Sequence, residues 1–187
     1  KASDDSNYEG TQPAYVSGGE EYLLVDGYNI IFAWQELNEL AQHNIDSARD
    51  KLMDIMCNYQ GAKKVNLILV FDAYKVSGGQ GEVFNYHNIH VVYTKEAETA
   101  DQYIEKVTHE LSRKYQVTVA TSDRLEQMII WGAGARRISA PGFYEEVMNT
   151  IQEVRENIES EKPKNKNYLK DNLSRETYEE LEKIKQN

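Results

Sequence analysis

Short apolar runs alternate with longer amphipathic stretches along most of this chain, and the two spacings predict two kinds of element. Tyr22 to Val25 reads as a compact buried strand ending at Asp26. Ile45, Ala48, Leu52, Ile55, Met56 and Tyr59 recur at helical spacing, with Gly61 as the expected stop. Val65 to Phe71, VNLILVF, is the strongest strand and again ends in an aspartate, Asp72. Residues Tyr74 to Asn88, with Gly78, Gly79 and Gly81, read as a loop, either a flap over substrate or a solvent connection. Ile89 to Tyr93 makes a third strand, and Tyr103, Ile104, Val107, Leu111 and Tyr115 mark a second helix. Val117 to Ala120 is a fourth strand, closing on Thr121, Ser122 and Asp123. Leu125 to Trp131 then reads as a short helix and Arg137 to Ser139 as a final short strand. Phe143, Val147, Ile151, Val154 and Ile158 fall on one face of a third long helix.

Strands that alternate with helices of this length require a parallel sheet covered on both faces. The predicted class is α/β: a three-layer α/β/α arrangement with a central, mainly parallel sheet, plus C-terminal helices. Residues 1–20 lack an apolar period and read as a linker or tail, 21–160 as the folded domain, and 161–187 as a basic segment with a last helix capped by Ser174. Lys162, Lys164, Lys166 and Lys170 in that segment suit either RNA contact or a solvated linker. The chain begins at Lys1 and not at methionine, which fits a processed product or, by preference, a fragment of a longer protein, a C-terminal module with a further domain upstream.

Composition narrows the function more than the fold. A 40% hydrophobic, 28% charged chain of 187 residues is globular, and no apolar run reaches the roughly 20 residues of a membrane helix. No membrane partner is expected. Cys57 has no second cysteine to pair with, and the N-terminus lacks the order of a signal peptide, so a cytoplasmic location is expected. The formal charge of −10 argues against gripping free nucleic acid by broad electrostatic attraction. Carboxylates that hold a cation, or delivery of RNA by a larger partner, would reconcile that charge with a nucleic-acid substrate.

In an open parallel sheet, ligands bind beyond the carboxyl ends of the strands. Asp26, Asp72 and Asp123 follow three predicted strands, and Glu98 and Asp101, three apart, follow another at an expected helix start. Singly, each suits helix capping or a turn, and Asp123 in SDRLEQ especially so. Gathered together, they would repel one another and call for a cation. An oxygen-only set suits Mg²⁺ or Mn²⁺ over Zn²⁺, and such a centre suits phosphodiester hydrolysis. His43, His87, His90 and His109 are scattered without ligand spacing. Tyr28 and Trp34 follow the first acidic strand end, where an aromatic either stacks on a base or packs on the neighbouring helix. Arg136 and Arg137 suit phosphate contact or simple solvation.

The segment LLVDGYNII resembles the opening motif of NYN domains, a branch of the PIN-like nuclease fold. With LVFDAY, TKEAETAD and VATSD following in order, residues 21 to 160 resemble the YacP-like bacterial ribonuclease subgroup. The resemblance implies a PIN-like fold and a catalytic metal centre of Asp26, Asp101 and Asp123, with Asp72 and Glu98 as supporting carboxylates. It implies that Asn29 orients a phosphate or water, and that Thr121 or Ser122 bonds a carboxylate or phosphate oxygen. The remaining substrate contacts expected are Tyr28 and Arg136. The implied activity is endonucleolytic cleavage of RNA, messenger RNA at the ribosome in particular. Two alternatives stand beside it: a PIN-like module that binds RNA or ribosome without cutting, and a phosphohydrolase of the haloacid dehalogenase type. The latter ordinarily has a second Asp two residues after the first, where this chain has Tyr28.

Overall fold

The computed structural model describes residues 19–72, 80–122 and 134–161. By its contacts the chain divides into two units, Lys1–Ile151 and Gln152–Asn187. The first holds the sheet: β1 (Glu21–Asp26), β2 (Asn66–Phe71), β3 (Gln80–Tyr86), β4 (Ile89–Lys95), β5 (Gln116–Ala120) and β6 (Arg136–Ile138). Its helices are α1 (Gly27–Ala33), α2 (Gln35–His43), α3 (Ile45–Lys63) and α4 (Ala100–Leu111). Another helix, α5 (Ala140–Glu161), starts in this unit, and its last residues are the described part of the second. Among the described residues, no helix is long and apolar enough to cross a membrane.

The strand order is β3-β4-β2-β1-β5-β6, parallel throughout except for the antiparallel β3–β4 pair. The α/β class expected from the alternation of strands and helices is therefore present. Along β1, Leu23 and Val25 enter one apolar cluster and Leu24 the other; along β2, Leu67, Leu69 and Phe71 alternate in the same way with Val70. A strand's period of two thus feeds both faces of the sheet, which is why these runs carry so few polar residues. Residues of α1, α2, α3 and α5 join the first cluster, and Ala100 and Ile104 of α4 the second. β1 lies between β2 and β5, and the chain leaves it toward β2 and returns on its other side at β5. Such a reversal opens a crevice at the carboxyl ends of the strands.

Several expectations change. The segment read as a loop up to Asn88 contains the edge strand β3, whose Phe84 and Tyr86 pack on the core. Gly61 does not end α3, which continues to Lys63 and closes on Lys64 in the left-handed conformation, φ 60°. The final short strand begins at Arg136, one residue earlier than expected, and Tyr115 lies beyond α4, against Tyr22. On α5, Phe143 and Val147 are buried whereas Val154 and Ile158 are exposed. The tail before Gly19, Tyr74, Gly78, Gly79, Asp123, the Leu125 to Trp131 helix, Lys162 to Lys170 and the Ser174 helix lie outside the described residues.

Candidate functional site

The crevice is built from the last residue of β1 outward. Asp26 pairs in register with Val70 and is 6% exposed. Its carboxylate caps α1, accepting a hydrogen bond from the Asn29 amide at 3.1 Å. Gly27 follows because nothing larger fits: an added Cβ would lie 2.2 Å from Cε1 of Phe71. The apolar ring at the end of β2 and the tight entry to α1 thus hold Asp26 at the rim.

Two further carboxylates reach the same place. Asp72, just past β2, accepts from the Ala100 amide at 2.7 Å and so ties β2 to the start of α4. Asp101 stands in the first turn of α4, after Thr99, whose side chain forms a reciprocal capping box with Gln102. A helix N-terminus favours an anion there. Burial pushes the Asp26 carboxyl up from 3.8 to about 7, against the lowering effect of the Asn29 amide, and the charges of Asp101 and Asp72 raise it further, together with a hydrogen bond to Asp101.

Asn29 and Ser122 link β1 to β5. The Ser122 amide donates to Oδ1 of Asn29 at 2.7 Å, and because a backbone N–H only donates, the Asn29 side chain must turn its oxygen inward and keep its NH₂ for another acceptor. Ser122 Oγ accepts from the Ala140 amide at 3.0 Å, and Thr121, fully buried, donates its amide to the Ile138 carbonyl. Thr121 and Ser122 therefore knit the strand ends together, and neither is placed by these bonds on a carboxylate.

Other expected residues lie elsewhere. Glu98 precedes the Thr99 cap, so it is not on the helix that carries Asp101, and the carboxylates acting on Asp26 are Asp101 and Asp72. Glu98 and Asp101 do not share a helical face, because the extended Thr99 stands between Glu98 and the helix start. Tyr28 is in the core: its ring meets Phe71 edge-on and its hydroxyl accepts from Arg49 at 2.7 Å, so the base-stacking role expected of it becomes a packing role. Trp34 is likewise buried, donating its indole N–H to the Ala140 carbonyl and lying beside Phe143. The backbone of Arg136 pairs with Thr118, two residues before the Ala120–Ile138 pair. Arg49, which also pairs with Asp46 and lies over the Tyr93 ring, escaped the sequence reading. Its signal was there: Arg49, Met53 and Met56 share helical spacing, and a charge on an apolar stripe needs a partner.

Among the described residues, no group of three or more His, Cys, Asp or Glu side chains is assembled to hold a metal ion. One Asp72 oxygen already serves the Ala100 amide, and Asp123 lies outside the described residues. The Asp26–Asp101 pair nonetheless has the chemistry of half a hard-cation site: oxygen donors only, with Asp26 buried and the charge of Asp101 beside it disfavouring its ionisation.

The chain is similar in sequence and fold to known proteins. Residues 23–186 match the YacP-like NYN domain family. The chain is 41% identical over 150 residues to the uncharacterized protein YacP of Bacillus subtilis strain 168, covering 78% of this chain and 88% of that one. A crystal structure of Rae1 (YacP) from Bacillus subtilis aligns with a TM-score of 0.65 at 38% identity, over 88% of this chain and 94% of that one. A mutant form of the same protein gives 0.65 at 39% identity, over 76% and 86%. With sequence and architecture in agreement, the chain belongs to the YacP-like NYN family.

Proposed function

We propose that this nuclease-family protein is a divalent-metal-dependent endoribonuclease whose substrate is messenger RNA in the context of the ribosome. The observation that carries the reading is the convergence of Asp26, Asp101 and Asp72 on one rim, with Asp26 driven toward its neutral form first by burial and further by the charges of the other two. Packing anions together without a cation is costly, and membership of the family gives that cost a purpose. Asp26, Asp101 and Asp123 would hold Mg²⁺ or Mn²⁺, with Asp72 and Glu98 as supporting carboxylates that add negative potential. When bound, such a cation neutralises phosphate charge and acidifies water for in-line attack, giving a 5′-phosphate and a 3′-hydroxyl.

The chain's own residues supply position. Asp26 is fixed by its cap bond and by the Gly27–Phe71 contact, and Asp101 by the Thr99–Gln102 capping box that brackets it. The Asn29 NH₂, oriented by Ser122, is the donor for a phosphate oxygen. A net charge of −10 suits a protein whose RNA is brought to it by a large assembly. The rival phosphohydrolase reading fails at Tyr28, which stands where the second Asp is needed and belongs to the core.

The test is RNA cleavage by the purified chain with Mg²⁺ or Mn²⁺, on free RNA and on translating ribosomes, with Asp101→Asn as the control. Cutting should fall by about a hundredfold or more in the variant, since a ligand charge is lost with little change of shape. Normal cutting by folded Asp101→Asn would defeat the assignment. Ribosome binding without cutting by the parent protein would establish a non-catalytic module.

A further inference from the structure

Phe32 lies on α1 one turn beyond Asn29, three residues on and so beside it on the helix surface. It is 46% exposed, whereas its neighbours Ile30 and Ile31 are fully buried and the two aromatics nearest it in sequence, Tyr28 and Trp34, are 5% and 3% exposed. A single exposed apolar side chain is ordinary in itself. The position is what distinguishes this one. The Phe32 ring lies nearly parallel to that of Tyr28, 20° between planes and 6.2 Å between centroids. Tyr28 is in turn pinned by the Arg49 bond at its hydroxyl and by the edge of Phe71. A rigid aromatic thus backs an exposed one, on the same short helix that begins at Asp26 and carries the Asn29 amide.

We propose that Phe32 is the nucleobase platform of this site, stacking a base of single-stranded RNA next to the phosphate held at Asn29. This rests on the nuclease reading above. Stacking on an aromatic face tolerates any base, so Phe32 would fix the path of the strand and not its sequence. It would also favour unpaired RNA, because a paired and stacked base cannot present its face to the ring. In an acidic protein such a contact supplies affinity that positive charge does not.

The test compares Phe32→Ala, Phe32→Leu and Phe32→Trp with the parent chain, on whichever RNA the parent cuts, free or ribosome-bound. The alanine variant should raise KM on the order of tenfold with a smaller change in kcat, and tryptophan but not leucine should restore it. Restoration by leucine would show a merely apolar contact, and an unchanged KM or a fall in Tm matching the loss of activity would show that Phe32 does not touch substrate; each overturns the proposal. Failure of the parent to cut either RNA would instead sink the nuclease reading on which it stands.

Discussion

Replacing Asp26 by asparagine should make the metal-free protein more stable while abolishing its activity. The Asp26 carboxyl stands at about 7 in the fold against an ordinary 3.8. Because the folded value is the higher one, the protonated group's contribution is complete below the unfolded value near 4 and is lost as pH rises through about 7. At about pH 8 the ionised carboxylate therefore costs the fold up to about 4 kcal/mol, roughly three units at about 1.4 kcal/mol each. Asparagine keeps the cap, since its Oδ1 still accepts from the Asn29 amide, and its NH₂ can donate to Asp101. Desolvation of the amide takes back on the order of half, leaving a gain of about 2 kcal/mol, or about 5 °C in Tm for a chain of this size. The assay is thermal unfolding of parent and Asp26→Asn in EDTA at about pH 8 and about pH 4, where the gain should disappear and the order reverse, because the neutral carboxyl no longer penalises the parent while the amide's desolvation cost remains. A variant less stable than the parent at the higher pH would refute the reasoning. So would an equal gain at both pH values, which would trace the effect to shape and not to charge.

Gly27→Ala should destabilise by about 2 kcal/mol, because the new Cβ meets a Phe71 ring already enclosed by Tyr28 and Tyr93; an unchanged urea midpoint would contradict this. Asn29→Asp keeps an oxygen for the Ser122 amide but removes the NH₂ and adds a charge beside Asp26, so kcat/KM should fall by about a hundredfold with the fold intact. Steady-state cleavage kinetics check it, and parental kinetics in the variant would remove Asn29 from the phosphate contact.

The strands that carry Asp26 and Asp72 were legible because their signal is local: a run such as VNLILVF has few other ways to bury both faces. The long amphipathic segments were legible for the same reason, and the NYN resemblance rested on short motifs that need no tertiary knowledge. The edge strand β3 was not, since glycines and polar residues at its start read as loop, and it is the pairing with β4 that makes it a strand. Glu98 and Asp101 looked equivalent at a spacing of three until the Thr99 capping box put only Asp101 on the helix.

The spacing of residues along the chain sets the period of each element and places acids after its strands, because backbone geometry translates spacing directly into a face or an end. Which of those acids meet, and which of the aromatics on and beside α1 are buried, follows from the neighbours that each finds in space. Tyr28, Phe32 and Trp34 are similar letters within one stretch, yet Arg49 and Phe71 claim the first, and Ala140 and Phe143 the last. The raised carboxyl of Asp26 likewise depends first on its burial and then on Asp101 and Asp72, brought beside it from distant parts of the chain. Burial and charge coupling are properties of neighbours in space, and those neighbours exist only once the sheet has formed.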